Sequence, residues 1–230
     1  MHTSPLSHCS TITPGALCAQ ALAHGLDAVV LTEHDTWRDP RDLASLRARF
    51  PALRIYMGVE IALAEGYDVV HVGNAAHLPN PAGHTMASLA RTLAPHRDDC
   101  FLFVAHPFRF VDRWTTALEY ILGHMDGIEM LSVNILRRAH AACNGLFVPT
   151  TWPLYQEALA RYPVTPLYNS DAHHVLAVGA VASDIPTATP PDDETGLARL
   201  LKQSVAAPHQ DRARLEAVLA HYAARRAAAS

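Results

Sequence analysis

Residues that can bind metal ions recur along this chain, each at the end of a short apolar run. The runs and their polar residues are 28–32 with Glu33, His34 and Asp35; 54–59 with Glu60; 68–72 with His71; 100–105 with His106; and 164–169 with Asp171 and His173. A single histidine at the end of a strand is usually structural. Five successive placements of this kind indicate one shared site.

The residue types in this pattern suit a particular chemistry. Imidazole nitrogens and carboxylate oxygens bind Zn, Mn and Fe. Two or three such ions a few ångströms apart hold a phosphate oxygen, lower the pKa of a bound water and stabilise the leaving oxygen. No serine or cysteine nucleophile is needed, and the sequence has no G-x-S-x-G motif. The pattern therefore predicts an enzyme, a hydrolase with two or three divalent metal ions (Zn, Mn or Fe).

The elements that must position these residues can be read from the same sequence. Helical patterns cover residues 16–24, 39–50, 86–93, 114–122, 152–161 and, in two segments, 193–228. Helices that alternate with continuous apolar strands predict an α/β fold with a parallel sheet, either open or closed into a barrel. In a barrel, functional side chains gather at the carboxyl ends of the strands. The sequence lacks both GxGxxG and GxxxxGK[ST], which argues against a nucleotide-binding sheet.

The composition predicts one globular domain over residues 1–230, with the candidate ligands in 1–180 and a helical tail from about 193 to 228. No run approaches the roughly 18 apolar residues of a membrane span. The first residues lack the basic and apolar regions of a signal peptide, so a cytoplasmic location is expected. The four cysteines form no CxxC pair and are expected to be structural, with a reservation for Cys9 because it adjoins the candidate ligand His8.

The charge pattern bears on the class of partner. The formal net charge is −4, with 18 basic and 22 acidic residues, and no basic stripe is visible. Proteins that bind nucleic acid usually carry such a stripe, so a nucleic-acid partner is not expected. We expect a small phosphorylated substrate and no membrane partner.

The residues resemble those of a known family, the PHP (polymerase and histidinol phosphatase) domain. Residues 2–10, HTSPLSHCS, are similar to its first motif, and residues 31–35, LTEHD, to its second. Residues 58–60 (GVE), 105–107 (AHP) and 169–173 (NSDAH) resemble later motifs in the family's order. The resemblance implies a distorted (β/α)7 barrel with up to three metals at one mouth, and a metal-dependent phosphoesterase activity.

The resemblance also implies a ligand set. His2, Glu60 and Asp171 would hold the first metal, and Glu60 would bridge to a second metal shared with His71 and His106. His34 and His173 would hold the third metal together with His8, which stands where the family usually has aspartate. In this scheme Glu60, Asp171 and His34 are the residues closest to catalysis.

The start of the chain departs from the family pattern. The family motif is H-x-H after a few residues of the first barrel strand, whereas here Met1 stands at the x position. The expected fold is therefore a barrel that lacks its first strand, which would expose two unpaired edges. Our hypothesis is that the true start lies upstream or that the sequence is a truncated gene model; mass spectrometry of the protein from its source would test it. If the chain starts as given, the first metal keeps three ligands and is expected to bind more weakly.

Two arginines are candidate substrate residues, since a guanidinium can bind phosphate by two parallel hydrogen bonds. Arg109 follows His106 closely, and Arg137 follows a further apolar run at 127–131. The function predicted from the sequence is hydrolysis of a small phosphate ester by a metal-activated water. Three alternatives stay open: a catalytically impaired metal-binding or regulatory domain, a nuclease-type phosphodiesterase, and a hydrolase of C–N bonds.

Overall fold

The apolar runs predicted as strands form strands, and the helical patterns form helices. The computed structural model describes residues 1–228. In chain order the elements are α1 (Pro14–Ala23), β1 (Ala28–His34), α2 (Pro40–Arg49), β2 (Arg54–Ala62), β3 (Asp68–Gly73), α3 (Met86–Leu93), β4 (Cys100–Ala105), α4 (Thr116–Leu122), β5 (Gly127–Leu131), α5 (Val133–Leu136), β6 (His140–Cys143), β7 (Leu146–Pro149), α6 (Trp152–Arg161), β8 (Thr165–Tyr168), β9 (Val181–Asp184), α7 (Glu194–Gln203), β10 (Ala207–Gln210) and α8 (Arg212–Ala227). The helical tail is as predicted, except that β10 lies between its two helices.

The helices begin where side chains can accept the free amide hydrogens of a first turn. Thr13 caps α1 by accepting from the backbone of Ala16, and Pro14 follows at a position that needs no amide donor. Helix α3 begins with a capping box in which Thr85 and Ser88 each bond the backbone of the other. These local signals fix the direction in which each helix leaves the sheet.

Six strands pair in the order β1-β2-β3-β4-β5-β8. The pairs β1–β2, β4–β5 and β5–β8 are parallel, whereas β3 runs antiparallel to both β2 and β4. The prediction of an all-parallel sheet was therefore wrong for β3. Only residues 63–67 join β2 to β3, which is too short for the crossover of a dozen or more residues that a parallel pair requires.

The sheet separates two apolar clusters. The larger cluster lies between the sheet and most of the helices. The smaller lies on the concave face, where Tyr56, Val70 and Phe103 contact one another and the α7 residues Leu197 and Leu201. Helix α7 thus packs into the space that the curled sheet encloses. Outside the main sheet, β6 pairs with β7 and β9 with β10, each antiparallel.

The described residues form a curled half-barrel, and the expected distorted (β/α)7 barrel is not confirmed. Met1 and His2 bridge the gap between β1 and the segment after β8, since the Thr32 amide donates to the Met1 carbonyl (2.9 Å) and the His2 amide to the Ala172 carbonyl (3.2 Å). A cavity of about 410 Å³ lies along this gap. The outer edge of β8 is blocked, because the amide of Tyr168 donates to the hydroxyl of Ser183.

No helix among residues 1–228 combines the length and hydropathy that crossing a bilayer requires.

Candidate metal centre

One rim of the half-barrel carries most of the predicted ligands. Three groups of side chains place one ligand atom from each member within 4.8 Å of the others; they are His2, Glu60 and Asp171; Glu60, Asp68 and His106; and His2, Cys9, His34 and His173. Glu60 is common to the first two groups and His2 to the first and third. The rim therefore brings together His2, His34, Glu60, His106, Asp171 and His173 of the predicted set.

Glu60 lies at the centre of this arrangement, at the carboxyl end of β2. Its Oε2 is 3.0 Å from Nε2 of His2, and its Oε1 is 3.4 Å from Nε2 of His106. The same nitrogen of His2 is 3.2 Å from Oδ1 of Asp171. The two oxygens of Glu60 thus face different histidines, so Glu60 would be placed to contribute an oxygen to each of two neighbouring ligand groups.

The electrostatics of the group follow from these contacts. Burial alone would lower the pKa of His2 and of His106, but their contacts with Asp171 and Glu60 outweigh it and raise each pKa to about 9. Burial would likewise raise the pKa of Glu60, but the hydrogen bonds from His106 and His2 hold that pKa well below its usual range. Without metal, protons on the two imidazoles therefore neutralise part of the buried negative charge.

The backbone is strained where ligands leave the strands. His106 has φ 34° and Asp171 has φ 44°, both in the left-handed region that non-glycine residues rarely adopt. Such strain persists only where surrounding contacts enforce it, and it is concentrated at functional sites. One such contact is the backbone amide of His106, which donates to Oε2 of Glu129 at 3.0 Å.

The third group is built from imidazole rings. The ring of His2 stacks on that of His34 with centroids 4.3 Å apart and planes 9° from parallel, and lies 4.5 Å from the ring of His173. Burial lowers the pKa of His173 to about 4, which keeps that imidazole neutral near pH 7. A neutral imidazole can bind a metal ion without first losing a proton.

His8 lies outside all three groups, contrary to the prediction, and Cys9 takes its place. The amide of Ser10 donates to the carbonyl of Ser7 at 3.1 Å, so His8 and Cys9 are the two central residues of a tight turn. Of these two residues, only Cys9 belongs to a ligand group. The sequence analysis noted Cys9 because it adjoins His8, but it assigned the ligand role to the histidine.

His71 is also outside the groups, and Asp68 stands in its place. Because β3 runs antiparallel, its first residue, Asp68, lies at the rim next to Ala105, while His71 lies opposite Val59. Val59 faces the helix side of the sheet, so His71 does too, and its ring contacts that of Trp37 at 5.6 Å. The nearest approach of Asp68 to the site is to Nε2 of His106, at 3.8 Å.

A buried network that the sequence analysis missed holds the N-terminal loop. Glu33 is 1% exposed and accepts from the amide (3.0 Å) and hydroxyl (2.5 Å) of Thr3, from the Ser7 hydroxyl (2.5 Å) and from the guanidinium of Arg38 (2.5 Å). Burial would raise the pKa of Glu33, but these hydrogen bonds lower it. Glu33 thereby ties the segment that carries His2 and Cys9 to β1.

A second set of contacts orients the residues after β8. The side-chain amide of Asn134, on α5, donates to Oδ2 of Asp171 at 2.5 Å and lies 3.1 Å from Nδ1 of His173. Asn169 donates to Oε1 of Glu129 at 3.1 Å. Burial and the nearby Asp171 raise the pKa of Glu129 to about 7.

The two arginines predicted to bind substrate interact electrostatically with one another. The guanidinium of Arg137 lies 5.2 Å from the ring centroid of Tyr222, and that of Arg109 lies 4.6 Å from the ring of Phe110. Partial burial and the charge of Arg109 lower the pKa of Arg137, while Tyr222 and Asp171 act in the opposite direction. Arg137 is therefore within electrostatic range of both Arg109 and a candidate metal ligand.

The donor set fits divalent metal ions. His2 is 1% exposed, and its Nδ1 has no hydrogen-bond partner among the described residues. Buried polar atoms are normally paired, so an unpaired nitrogen within a cluster of ligand atoms points to a missing partner. Imidazole, carboxylate and thiolate donors together suit Zn, Mn or Fe.

Comparison with known proteins supports the fold. No family model and no curated protein matches the chain. Among solved structures, PsfC from Pseudomonas syringae PB-5123 is 18% identical with a TM-score of 0.62, over 90% of this chain and 87% of PsfC. A proposed metal-dependent phosphoesterase from Bifidobacterium adolescentis is 14% identical with a TM-score of 0.57, over 89% of this chain and 94% of that protein.

Endonuclease Q from Pyrococcus furiosus, a lesion-specific endonuclease, is 12% identical with a TM-score of 0.56, over 90% of this chain and 56% of the endonuclease. At these identities the likeness concerns the fold. The fold is shared with a proposed metal-dependent phosphoesterase and with a lesion-specific endonuclease, in line with the resemblance stated from the motifs.

Proposed function

We propose, starting from this PHP-type fold, that the protein is a metal-dependent hydrolase that acts on a small phosphate ester. The observation that carries the proposal is the position of Glu60, whose two oxygens face His2 and His106 with Asp171 and Asp68 beside them. Such a carboxylate holds two cations at a fixed separation. Paired cations of this kind are a recurring device of phosphate-ester hydrolysis.

The bound ions would supply Lewis-acid polarisation of the phosphoryl group and an acidified water. The chain's own residues would do the positioning. Glu60 and Asp171 would concentrate negative charge at the rim, and the strained backbone of His106 and Asp171 would hold their side chains towards it. Asn134 would fix the orientation of Asp171 through its hydrogen bond, so that one carboxylate oxygen stays directed at His2.

Arg109 and Arg137 would bind the phosphate oxygens that the ions leave free. Arg137 is half-buried, and its charge interacts unfavourably with that of Arg109. A dianionic phosphate monoester would relieve their mutual repulsion, because each guanidinium gains a counter-charge. This argument favours a compact, highly charged substrate.

A nucleic-acid phosphodiester is the second candidate, and the likeness to endonuclease Q supports it. The net charge of −4 counts against it, because binding of nucleic acid depends on many basic contacts with the backbone phosphates. A metal-binding domain without turnover is the third candidate. It would show the same ligand groups with no hydrolysis.

The test compares Glu60→Gln with Glu216→Gln, a matched control on the exposed surface of α8. Metal-stripped protein is reloaded with Mn²⁺ and assayed on p-nitrophenyl phosphate, bis(p-nitrophenyl) phosphate and a single-stranded oligonucleotide. We expect turnover of the monoester by the wild type and a fall of roughly 100-fold or more in kcat for Glu60→Gln, comparable to losing one electrostatic stabiliser of a transition state. Cleavage of the oligonucleotide alone would favour the nuclease, and no turnover of any substrate would refute the proposal.

A further inference from the structure

We infer that Cys9 is a metal ligand, and that with His34 and His173 it forms a zinc-selective subsite within the metal centre. The inference rests on the metal centre of the proposed function but not on its turnover. Cys9, His34, His173 and His2 place one ligand atom each within 4.8 Å of one another. His2 is buried, and its Nδ1 has no partner among the described residues.

The loop that carries Cys9 is pinned on both sides. Glu33 binds Thr3 and Ser7 before the turn. After the turn, the Thr11 amide donates to the carbonyl of His173 at 3.2 Å. Cys9 is therefore held against the residue whose imidazole belongs to the same group, at the point where the chain reverses.

The spacing of the ligand atoms is close to that of a tetrahedral zinc site. Bonds of about 2.0–2.3 Å from zinc to nitrogen and sulfur place neighbouring ligand atoms roughly 3.5 Å apart. The separations in this group, all under 4.8 Å, need side-chain shifts of about 1 Å to close on an ion. Cys9 is exposed and lies in a loop, so its side chain can make such a shift.

The donor set of this subsite differs from that of the neighbouring one. A thiolate and two imidazoles are soft to borderline ligands and favour Zn over Mn or Mg, whereas Glu60, Asp68 and His106 offer mainly oxygen. A nitrogen of an imidazole binds one ion, so His2 can serve the first group through the nitrogen that contacts Glu60 and Asp171. We expect the centre to hold zinc at the cysteine subsite even when manganese fills the others.

The test uses Co²⁺ as a spectroscopic substitute for zinc. Metal-stripped full-length protein is titrated with Co²⁺, and the near-ultraviolet absorption that arises from charge transfer between a thiolate and cobalt is recorded. The variants are Cys9→Ser, His8→Ala and Cys143→Ser, the last being a matched control because Cys143 lies outside the ligand groups. We expect the band in the wild type, in His8→Ala and in Cys143→Ser, and its loss in Cys9→Ser.

Zinc binding provides the second readout. Cys9→Ser should bind one equivalent fewer of zinc or bind it at least ~100-fold more weakly, since even loss of a ligand's hydrogen-bond partner costs up to about 100-fold. A missing band in the cobalt-loaded wild type, or a band that survives in Cys9→Ser, would overturn the inference. The band without any hydrolysis would support Cys9 as a ligand and refute the proposed function. Hydrolysis without the band would support the proposed function and refute Cys9 as a ligand.

Discussion

The carboxylate of Glu33 offers the most demanding prediction about stability. Glu33 and Arg38 are both buried and lie in direct contact, and Thr3 and Ser7 donate to the same carboxylate. Glu33→Gln keeps the size of the side chain but leaves the Arg38 guanidinium without its counter-charge. Removing one partner of a buried ion pair costs roughly 3–5 kcal/mol. Because glutamine still accepts one hydrogen bond, we expect a loss near the lower end, about 3 kcal/mol.

The assay is urea unfolding in the presence of EDTA, so that bound metal does not mask the effect. Glu216→Gln, which removes an exposed carboxylate, serves as the control and should change the free energy of unfolding by less than about 0.5 kcal/mol. Arg38→Met combined with Glu33→Gln removes both buried charges, and we expect it to recover part of the loss. A change below about 1 kcal/mol for Glu33→Gln, or a double variant as unstable as the sum of the two single variants, would refute the reasoning.

The same contacts predict how the free energy of unfolding depends on pH. The folded-state pKa of Glu33 lies below its ordinary value of 4.5, because the hydrogen bonds outweigh burial. The stabilisation from this carboxylate is therefore present above pH 4.5 and is lost as the pH falls through the folded-state pKa. Unfolding curves of the wild type and of Glu33→Gln should converge as the solution is acidified.

Three further predictions concern the rim. Asp68→Asn should lower both metal content and turnover, because Asp68 belongs to a ligand group. His71→Leu should leave metal content unchanged and should not lower the melting temperature, since His71 is buried and neither ring nitrogen has a hydrogen-bond partner among the described residues. Elemental analysis and thermal unfolding measure these effects, and loss of metal in His71→Leu but not in Asp68→Asn would restore the assignment of His71 as a ligand. Arg137→Met should raise KM for a phosphate monoester about 10-fold with a smaller effect on kcat, because a hydrogen bond to a charged group contributes about 1.5–3 kcal/mol. A change confined to kcat would contradict a role of Arg137 in substrate binding. Metal binding at pH 7 should release protons from His2 and His106, because their pKa values are about 9 without metal and an imidazole must be neutral to bind an ion. Calorimetry in buffers of different ionisation enthalpy should show this release. Metal binding at pH 7 without proton release would contradict the contacts with Glu60.

The strands and the central ligands could be predicted because their signals are local. Buried strands are continuous apolar runs, and their carboxyl ends meet at one edge whenever neighbours are parallel. That rule predicted His34, Glu60 and His106 at one edge, and each of them belongs to one of the ligand groups there. It failed at β3, where the short connection from β2 reverses the strand and places Asp68 at the rim while turning His71 to the helix side.

Two other features depend on contacts that sequence spacing does not encode. That Cys9 belongs to a ligand group and His8 does not depends on a turn closed by the hydrogen bond from Ser10 to Ser7 and followed by the hydrogen bond from Thr11 to His173. The role of Glu33 emerges only from burial, since a glutamate next to His34 would more often be exposed. The distorted (β/α)7 barrel expected from the family resemblance is not confirmed, and here too the pairing of distant edges is decided by the whole fold.

The most direct test of the central claim is a titration of metal-stripped protein with Mn²⁺ and Zn²⁺, in which bound metal and hydrolysis of p-nitrophenyl phosphate are measured on the same samples. The account predicts that hydrolysis rises with bound metal and saturates when the groups around Glu60 are filled, and that Glu60→Gln binds fewer ions and stays inactive. Full loading of the wild type with no hydrolysis, or hydrolysis that persists in EDTA, would contradict it.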